Sequence, residues 1–65
     1  MAYVNSTAIY RIEWSGGILS IWFTSNRSRR YDYPGVPEAL YHAFLRAPSK
    51  GSFYDDHIRD KYTYR

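Results

Sequence analysis

The sequence has 65 residues, of which nine are Lys or Arg, six are Asp or Glu and none is Cys. A chain of this length can build one small core, so we expect one domain over residues 1–65, with neither a disulfide framework nor a zinc–thiolate site to support it. Aromatic residues make up 20% of the chain and eight residues are Tyr, which excludes a disordered, weakly hydrophobic composition. The net charge of +3 permits a nucleic-acid partner without requiring one.

The first half of the chain has the pattern of antiparallel strands. Residues 8–14 alternate, with Tyr10 and Ile12 on the side opposite Ile9, and this is the period of a half-buried strand. Two glycines then favour a hairpin turn, and residues 18–24 and 29–33 form two more strand-like stretches around a polar turn. Because consecutive strands with short links usually pair as neighbours, the pattern predicts a three-stranded antiparallel meander.

Two short helices are expected after the strands. Pro34 ends the sheet because it cannot donate to the strand ladder, and residues 37–47 carry an apolar stripe at helical spacing. Pro48 ends this helix, and Ser49 or Gly51 can cap a second one. The sequence therefore predicts a two-layer α+β domain, a three-stranded antiparallel β-meander followed by two short α-helices packed on one face.

Several spaced motifs are similar to those of a known family. Residues 31–37 have the pattern Tyr-x-Tyr-x-x-Val-Pro, residues 47–54 read Ala-Pro-Ser-Lys-Gly-Ser-Phe-Tyr, and residues 57–59 read His-Ile-Arg. Upstream, residues 19–23 read Leu-x-Ile-x-Phe. Together these motifs resemble the KTSC domain, which occurs at the C-terminus of some lysyl-tRNA synthetases and as free-standing small bacterial proteins. The resemblance covers residues 4–64, brings no catalytic residues with it, and implies RNA as the ligand suggested for the family.

Three aromatic residues are candidates for stacking on unpaired bases. Tyr31 and Tyr33 lie on one side of the third strand, as stacking rings do on RNA-binding sheets. The alternative is that both rings pack under the first helix, because a chain this short can spare few large side chains from its core. Trp22 lies on the strand face opposite Leu19 and is expected to be an exposed stacking ring, although it can equally cover the open side of the sheet or a dimer partner.

Basic side chains cluster around the second turn. Arg27, Arg29 and Arg30 are close together in the sequence, and forked guanidinium groups near exposed rings suit contacts with phosphate. The alternative is a solvated turn whose charges discourage edge-to-edge pairing of a short strand. Both interpretations stay open from the sequence.

A second candidate site lies before the second helix. Lys50 and Gly51 stand at its predicted start, where free backbone N–H groups can bind a phosphate or a carboxylate. The alternative is a plain turn between helices that Ser49 caps. The spacing is not that of a Walker-type phosphate loop.

The last candidates are His57, Arg59 and Lys61. His57 has no companion Cys, and the acids at positions 55 and 56 do not face it on a helix, so neither a metal site nor a catalytic triad is indicated. A structural role for His57 is the alternative to a binding role. Arg59 and Lys61 would form a basic end of the domain.

Two functions follow from these residues. The first is a non-catalytic binding module for RNA, single-stranded or structured, which uses aromatic and basic side chains. The second is a protein-interaction domain with a surface rich in Tyr, Trp and Arg, which would also allow self-association. We expect a cytoplasmic protein without a cofactor, a bound metal or a membrane partner, and the sequence does not determine its oligomeric state.

Overall fold

Four strands and two helices follow one another along the chain. The computed structural model describes the backbone of residues 2–3 and the whole of residues 8–65. The strands are β1 (Ala2–Tyr3), β2 (Ile9–Ser15), β3 (Ile18–Phe23) and β4 (Asn26–Pro34), and the helices are α1 (Glu38–Arg46) and α2 (Lys50–His57). The sheet is antiparallel with the order β1-β2-β3-β4. The predicted α+β fold, a meander of three strands followed by two helices, is confirmed, and the two-residue β1 adds to it at the β2 edge.

The predicted hairpin between β2 and β3 depends on two glycines. Ser15 pairs with Ile18, so the loop has two residues, and Gly16 and Gly17 have φ angles of 57° and 85°. A two-residue hairpin of this kind needs positive φ at both central residues, which glycine adopts without strain.

A bulge near the start of β2 changes which side chains reach the core. Ile9 pairs with Phe23 and Arg11 with Trp22, so the register of the two strands shifts at Tyr10. Ile9 is consequently buried in the core together with Ile12. The expectation that Ile9 lies on the side opposite Ile12 is wrong, because a strict period of two does not continue across a β-bulge.

The core lies between one face of the sheet and the two helices. Its fully buried side chains come from β2, β3, β4, α1 and the segments that follow β4 and α2, and they are Ile9, Ile12, Leu19, Ile21, Tyr33, Val36, Phe44 and Ile58. Phe53 of α2 stacks on Phe44 of α1 with 5.1 Å between the ring centroids. In the part of the chain that the structure describes, no helix is long and apolar enough to cross a membrane.

The opposite face of the sheet is partly covered by its own side chains. Trp22 is only 8% exposed, and the Arg11 guanidinium lies 4.3 Å from its ring centroid. The expectation of an exposed Trp22 is therefore wrong. The physical reason is that β3 is a central strand, so long side chains from its neighbours can close over it on either face.

β4 is longer than the predicted strand at 29–33. It begins at Asn26, which pairs with Phe23, and its register with β3 shifts before Tyr31 pairs with Ile21. The turn occupies residues 24–25 and not 25–28. The three arginines consequently lie within an irregular edge strand and not in the turn itself.

Candidate nucleic-acid interface

Tyr33 is a core residue. Its side chain is 1% exposed, and its hydroxyl lies 2.8 Å from the hydroxyl of Tyr54. Burial, reinforced by this hydrogen bond, raises the pKa of the Tyr33 phenol above its ordinary value. The packing alternative is thus confirmed for Tyr33, although its ring partners are Tyr54 of α2 and Tyr64 near the C-terminus and not residues of α1.

Tyr31 is half-buried at the edge of the sheet. Its ring makes edge contacts with Phe23 at 5.3 Å and with Tyr64 at 4.9 Å between centroids. The Arg29 guanidinium lies over the same ring, 4.6 Å from its centroid. Tyr31 therefore packs against the core on one side and contacts the Tyr64 ring and the Arg29 guanidinium at the surface.

The C-terminal segment lies along the outer edge of β4. The backbone N–H of Arg65 donates to the carbonyl oxygen of Asp32 at 3.0 Å, and Tyr62 packs against the core. Between these two anchors Tyr64 is 49% exposed. We call Arg29, Tyr31 and Tyr64 the β4 patch. The sequence indicated Arg29 and Tyr31, whereas no strand pattern places Tyr64.

The three arginines of β4 have different partners. The Arg27 guanidinium lies over the ring of Tyr10 at 4.8 Å, in the same way as Arg29 lies over Tyr31. Arg30 instead pairs with Asp32, with Nε 3.0 Å from Oδ1 and Nη2 3.2 Å from Oδ2. Arg27 and Arg29 thus differ from Arg30 in having an aromatic partner where Arg30 has a carboxylate.

On the sheet face opposite the helices, Asp32 binds both Ser20 and Arg30. The Ser20 hydroxyl donates to its Oδ1 at 2.6 Å, and this hydrogen bond, followed by the contacts with Arg30, holds the pKa of Asp32 below its ordinary value against the effect of burial. Asp32 and Glu13 line a shallow groove of about 220 Å³. The spacing of Arg30 and Asp32, two residues apart in a strand, is the sequence signal for this pair.

Polar groups at the start of α2 form hydrogen bonds within the chain. The Ser49 hydroxyl accepts from the backbone N–H of Ser52 at 3.3 Å, as the capping alternative predicts. The Lys50 ammonium donates to the carbonyl oxygen of Ala47 at 2.5 Å, where it completes the end of α1. Gly51 lies against Ala8, since a Cβ built on it would be 3.6 Å from the Ala8 Cβ. This geometry favours the plain turn over an anion site.

The remaining candidates lie at the other end of α2. The His57 ring packs against Phe53 with 4.5 Å between centroids, and Arg59 pairs with Asp55 at 3.5 Å. Lys61 is exposed. Within residues 8–65, none of the ring or ion-pair contacts joins these three side chains to Arg27 or Arg29, so the predicted basic side chains do not form one continuous cluster of contacts.

No group of three or more His, Asp or Glu residues arranged to hold a metal ion is present among residues 2–3 and 8–65. The features described define a small α+β domain whose most distinctive surface is an edge strand with stacked arginines.

The comparisons identify its family. The sequence model of the KTSC domain matches residues 5–62, and the chain belongs to the KTSC domain family. Its structure is similar to the crystal structure of a KTSC domain protein from Yersinia pestis, with a TM-score of 0.87 and 35% identity over 98% of this chain and 90% of that chain. No curated protein matches the sequence significantly. The resemblance indicated by the spaced motifs is confirmed.

Proposed function

We propose that this KTSC domain is a non-catalytic RNA-binding module that contacts phosphates through Arg27 and Arg29. One observation carries the proposal. Both side chains are exposed on β4 and lie over aromatic rings, and no carboxylate among the described residues is within ion-pair distance of either guanidinium.

A guanidinium over a ring is well prepared to bind an anion. A cation–π contact at an exposed site contributes about 0.5–1 kcal/mol, which restrains the side chain, whereas an ion pair would use its N–H donors on a carboxylate. The planar fork of donors matches a phosphate, and contacts of this kind fix the position of a nucleic acid without reading its sequence. Arg30, by contrast, has its donors engaged by Asp32.

Two of the three rings predicted to stack on bases are buried. Trp22 and Tyr33 are 8% and 1% exposed, so neither offers a ring face to a base in this structure. Phosphate contacts therefore supply most of the proposed affinity. With only two such arginines, the affinity should be modest and should fall as salt is added, because binding releases counterions.

The test is a fluorescence-anisotropy titration of a labelled ten-nucleotide RNA at several salt concentrations. We expect binding at low salt, and we expect Arg27→Ala and Arg29→Ala each to weaken it and to reduce the slope of log K against log salt by about 0.7. Arg46→Ala is the matched control, because it removes the same charge from an exposed position at the end of α1.

Two results would overturn the proposal. One is the absence of RNA binding by the wild-type domain at low salt. The other is a loss of RNA affinity in Arg46→Ala equal to that in Arg27→Ala and Arg29→Ala, since equal losses would mean that RNA binding depends only on the net charge of the domain.

The second candidate is a protein-interaction domain. Tyr64 is about half exposed and lies in one ring cluster with Tyr31, beside Arg29, and Tyr and Arg are enriched at the energetic centres of interfaces. This candidate is favoured if RNA does not bind while sedimentation detects self-association that Tyr64→Ala abolishes.

A further inference from the structure

We infer that Tyr64 is the ring on which this domain stacks an unpaired nucleobase, while Arg29 contacts a phosphate of the same strand. The inference rests on the proposed RNA-binding function and narrows its ligand to single-stranded RNA.

The ring of Tyr64 is accessible to a ligand. Tyr64 is the exposed large apolar side chain among residues 8–65, at 49%, whereas the rings singled out from the strands are covered or half-covered. Every base has a π-face, so one accessible ring is sufficient for stacking without sequence preference. In a duplex both faces of each base are already stacked, and a ring at the protein surface can reach only an unpaired base.

The Tyr64 ring is held in place before any ligand arrives. It contacts Tyr31 at 4.9 Å and Tyr33 at 5.7 Å in edge geometry. The chain on either side is anchored by the packing of Tyr62 against the core and by the bond from the Arg65 N–H to the Asp32 carbonyl. A base that stacks on this ring therefore orders little additional side chain, which lowers the entropic cost of binding.

A positive charge lies near the Tyr64 ring. Arg29 lies over Tyr31, and Tyr31 contacts Tyr64, so one ring separates the guanidinium from the proposed stacking surface. The nearest acid of β4, Asp32, is held by Ser20 and Arg30. A single-stranded RNA presents bases and phosphates alternately along its length, and the β4 patch presents a ring and a cation to match them.

The experiment compares two ligands of equal length and charge. One is a ten-nucleotide oligouridylate, and the other is the same ribose-phosphate chain without bases. We expect the wild-type domain to bind the oligouridylate roughly 5- to 150-fold more tightly, which is the range that stacking of one base supplies. Tyr64→Ala should remove this preference and leave affinity for the abasic chain unchanged, whereas Tyr64→Phe should keep it.

Two further variants separate the ring from the cation and from folding. Tyr64→Leu keeps an apolar side chain against Tyr31 and Tyr33 without a π-face, so it should behave as Tyr64→Ala while retaining the thermal midpoint of the wild type. Arg29→Ala should weaken binding of both oligonucleotides by the same factor.

The outcomes distinguish this inference from the function on which it rests. Equal wild-type affinity for both ligands, or a preference that survives in Tyr64→Ala and Tyr64→Leu, would overturn the inference and leave the phosphate-binding proposal intact. Failure of the wild-type domain to bind either ligand at low salt would overturn both. Self-association that requires Tyr64, without RNA binding, would assign the ring to a protein interface and so contradict the inference.

Discussion

The hydroxyl pair of Tyr33 and Tyr54 offers a test of the core in which the two single substitutions differ. The two oxygens are 2.8 Å apart, and replacing either residue by Phe removes the same hydrogen bond while the ring remains. The two substitutions differ in the burial of the hydroxyl that remains. Tyr33 is 1% exposed, whereas Tyr54 is half-buried.

The magnitudes follow from this difference in burial. Tyr33→Phe leaves the Tyr54 hydroxyl where water can reach it, so the cost should be about 1 kcal/mol, the net value of one hydrogen bond. Tyr54→Phe leaves the Tyr33 hydroxyl buried without its partner, which adds a desolvation penalty and brings the cost to about 2 kcal/mol. The double variant removes both hydroxyls and should be no less stable than Tyr54→Phe alone.

The assay is urea unfolding of the wild type, the two single variants and the double variant, followed by tryptophan fluorescence. For a domain of this size, 1 kcal/mol also corresponds to a shift of about 4–8 °C in the thermal midpoint, so calorimetry gives an independent measurement. Tyr64→Phe serves as the control, because loss of a hydroxyl from an exposed ring should change stability by less than about 0.5 kcal/mol.

Two results would refute the reasoning. If Tyr33→Phe is more destabilising than Tyr54→Phe, burial of the orphaned hydroxyl does not determine the cost. If the free energies of the two single substitutions simply add in the double variant, the hydroxyls do not interact, because a hydrogen-bonded pair must give a coupling energy.

Three further predictions concern the pH dependence of stability and the packing of the core. Burial raises the pKa of Tyr33, so the folded protein holds this proton more tightly than the unfolded chain does. The stability of the wild type should therefore fall as the pH rises above about 10, and the stability of Tyr33→Phe should fall less steeply. Urea midpoints measured across this pH range test the difference. Ser20→Ala should cost about 1.5 kcal/mol or more at neutral pH because it removes a hydrogen bond to a carboxylate. Since that bond lowers the pKa of Asp32, the difference from wild type should shrink as the pH falls below about 4, and a constant difference would contradict the assignment. Phe44→Ala should cost about 3–5 kcal/mol because the ring is fully buried. The core of a domain this small provides little more folding free energy than this loss, so circular dichroism should show much of the protein unfolded at 37 °C.

Patterns of short range in the sequence predicted much of this fold. Alternation, a pair of glycines and the positions of the prolines were sufficient for three strands and two helices in the right order, since each depends on neighbours within a few residues. The same patterns offered Ser49 as one of two caps for α2 and placed Tyr31 and Tyr33 on one side of their strand. The arginine cluster was also visible, although its place within a strand was not.

What only the tertiary structure decided is which rings are accessible. Trp22 has the pattern of an outward-facing residue, yet the Arg11 guanidinium of β2 lies over its ring and Trp22 is buried. The register shift at Tyr10 brings Ile9 into the core together with Ile12. Tyr64 follows the last regular element and becomes the exposed ring because the C-terminal segment returns to the edge of β4. Periodicity describes one element at a time, whereas exposure depends on elements distant in the sequence, so the alternation of residues in a strand could not identify the ring that remains at the surface.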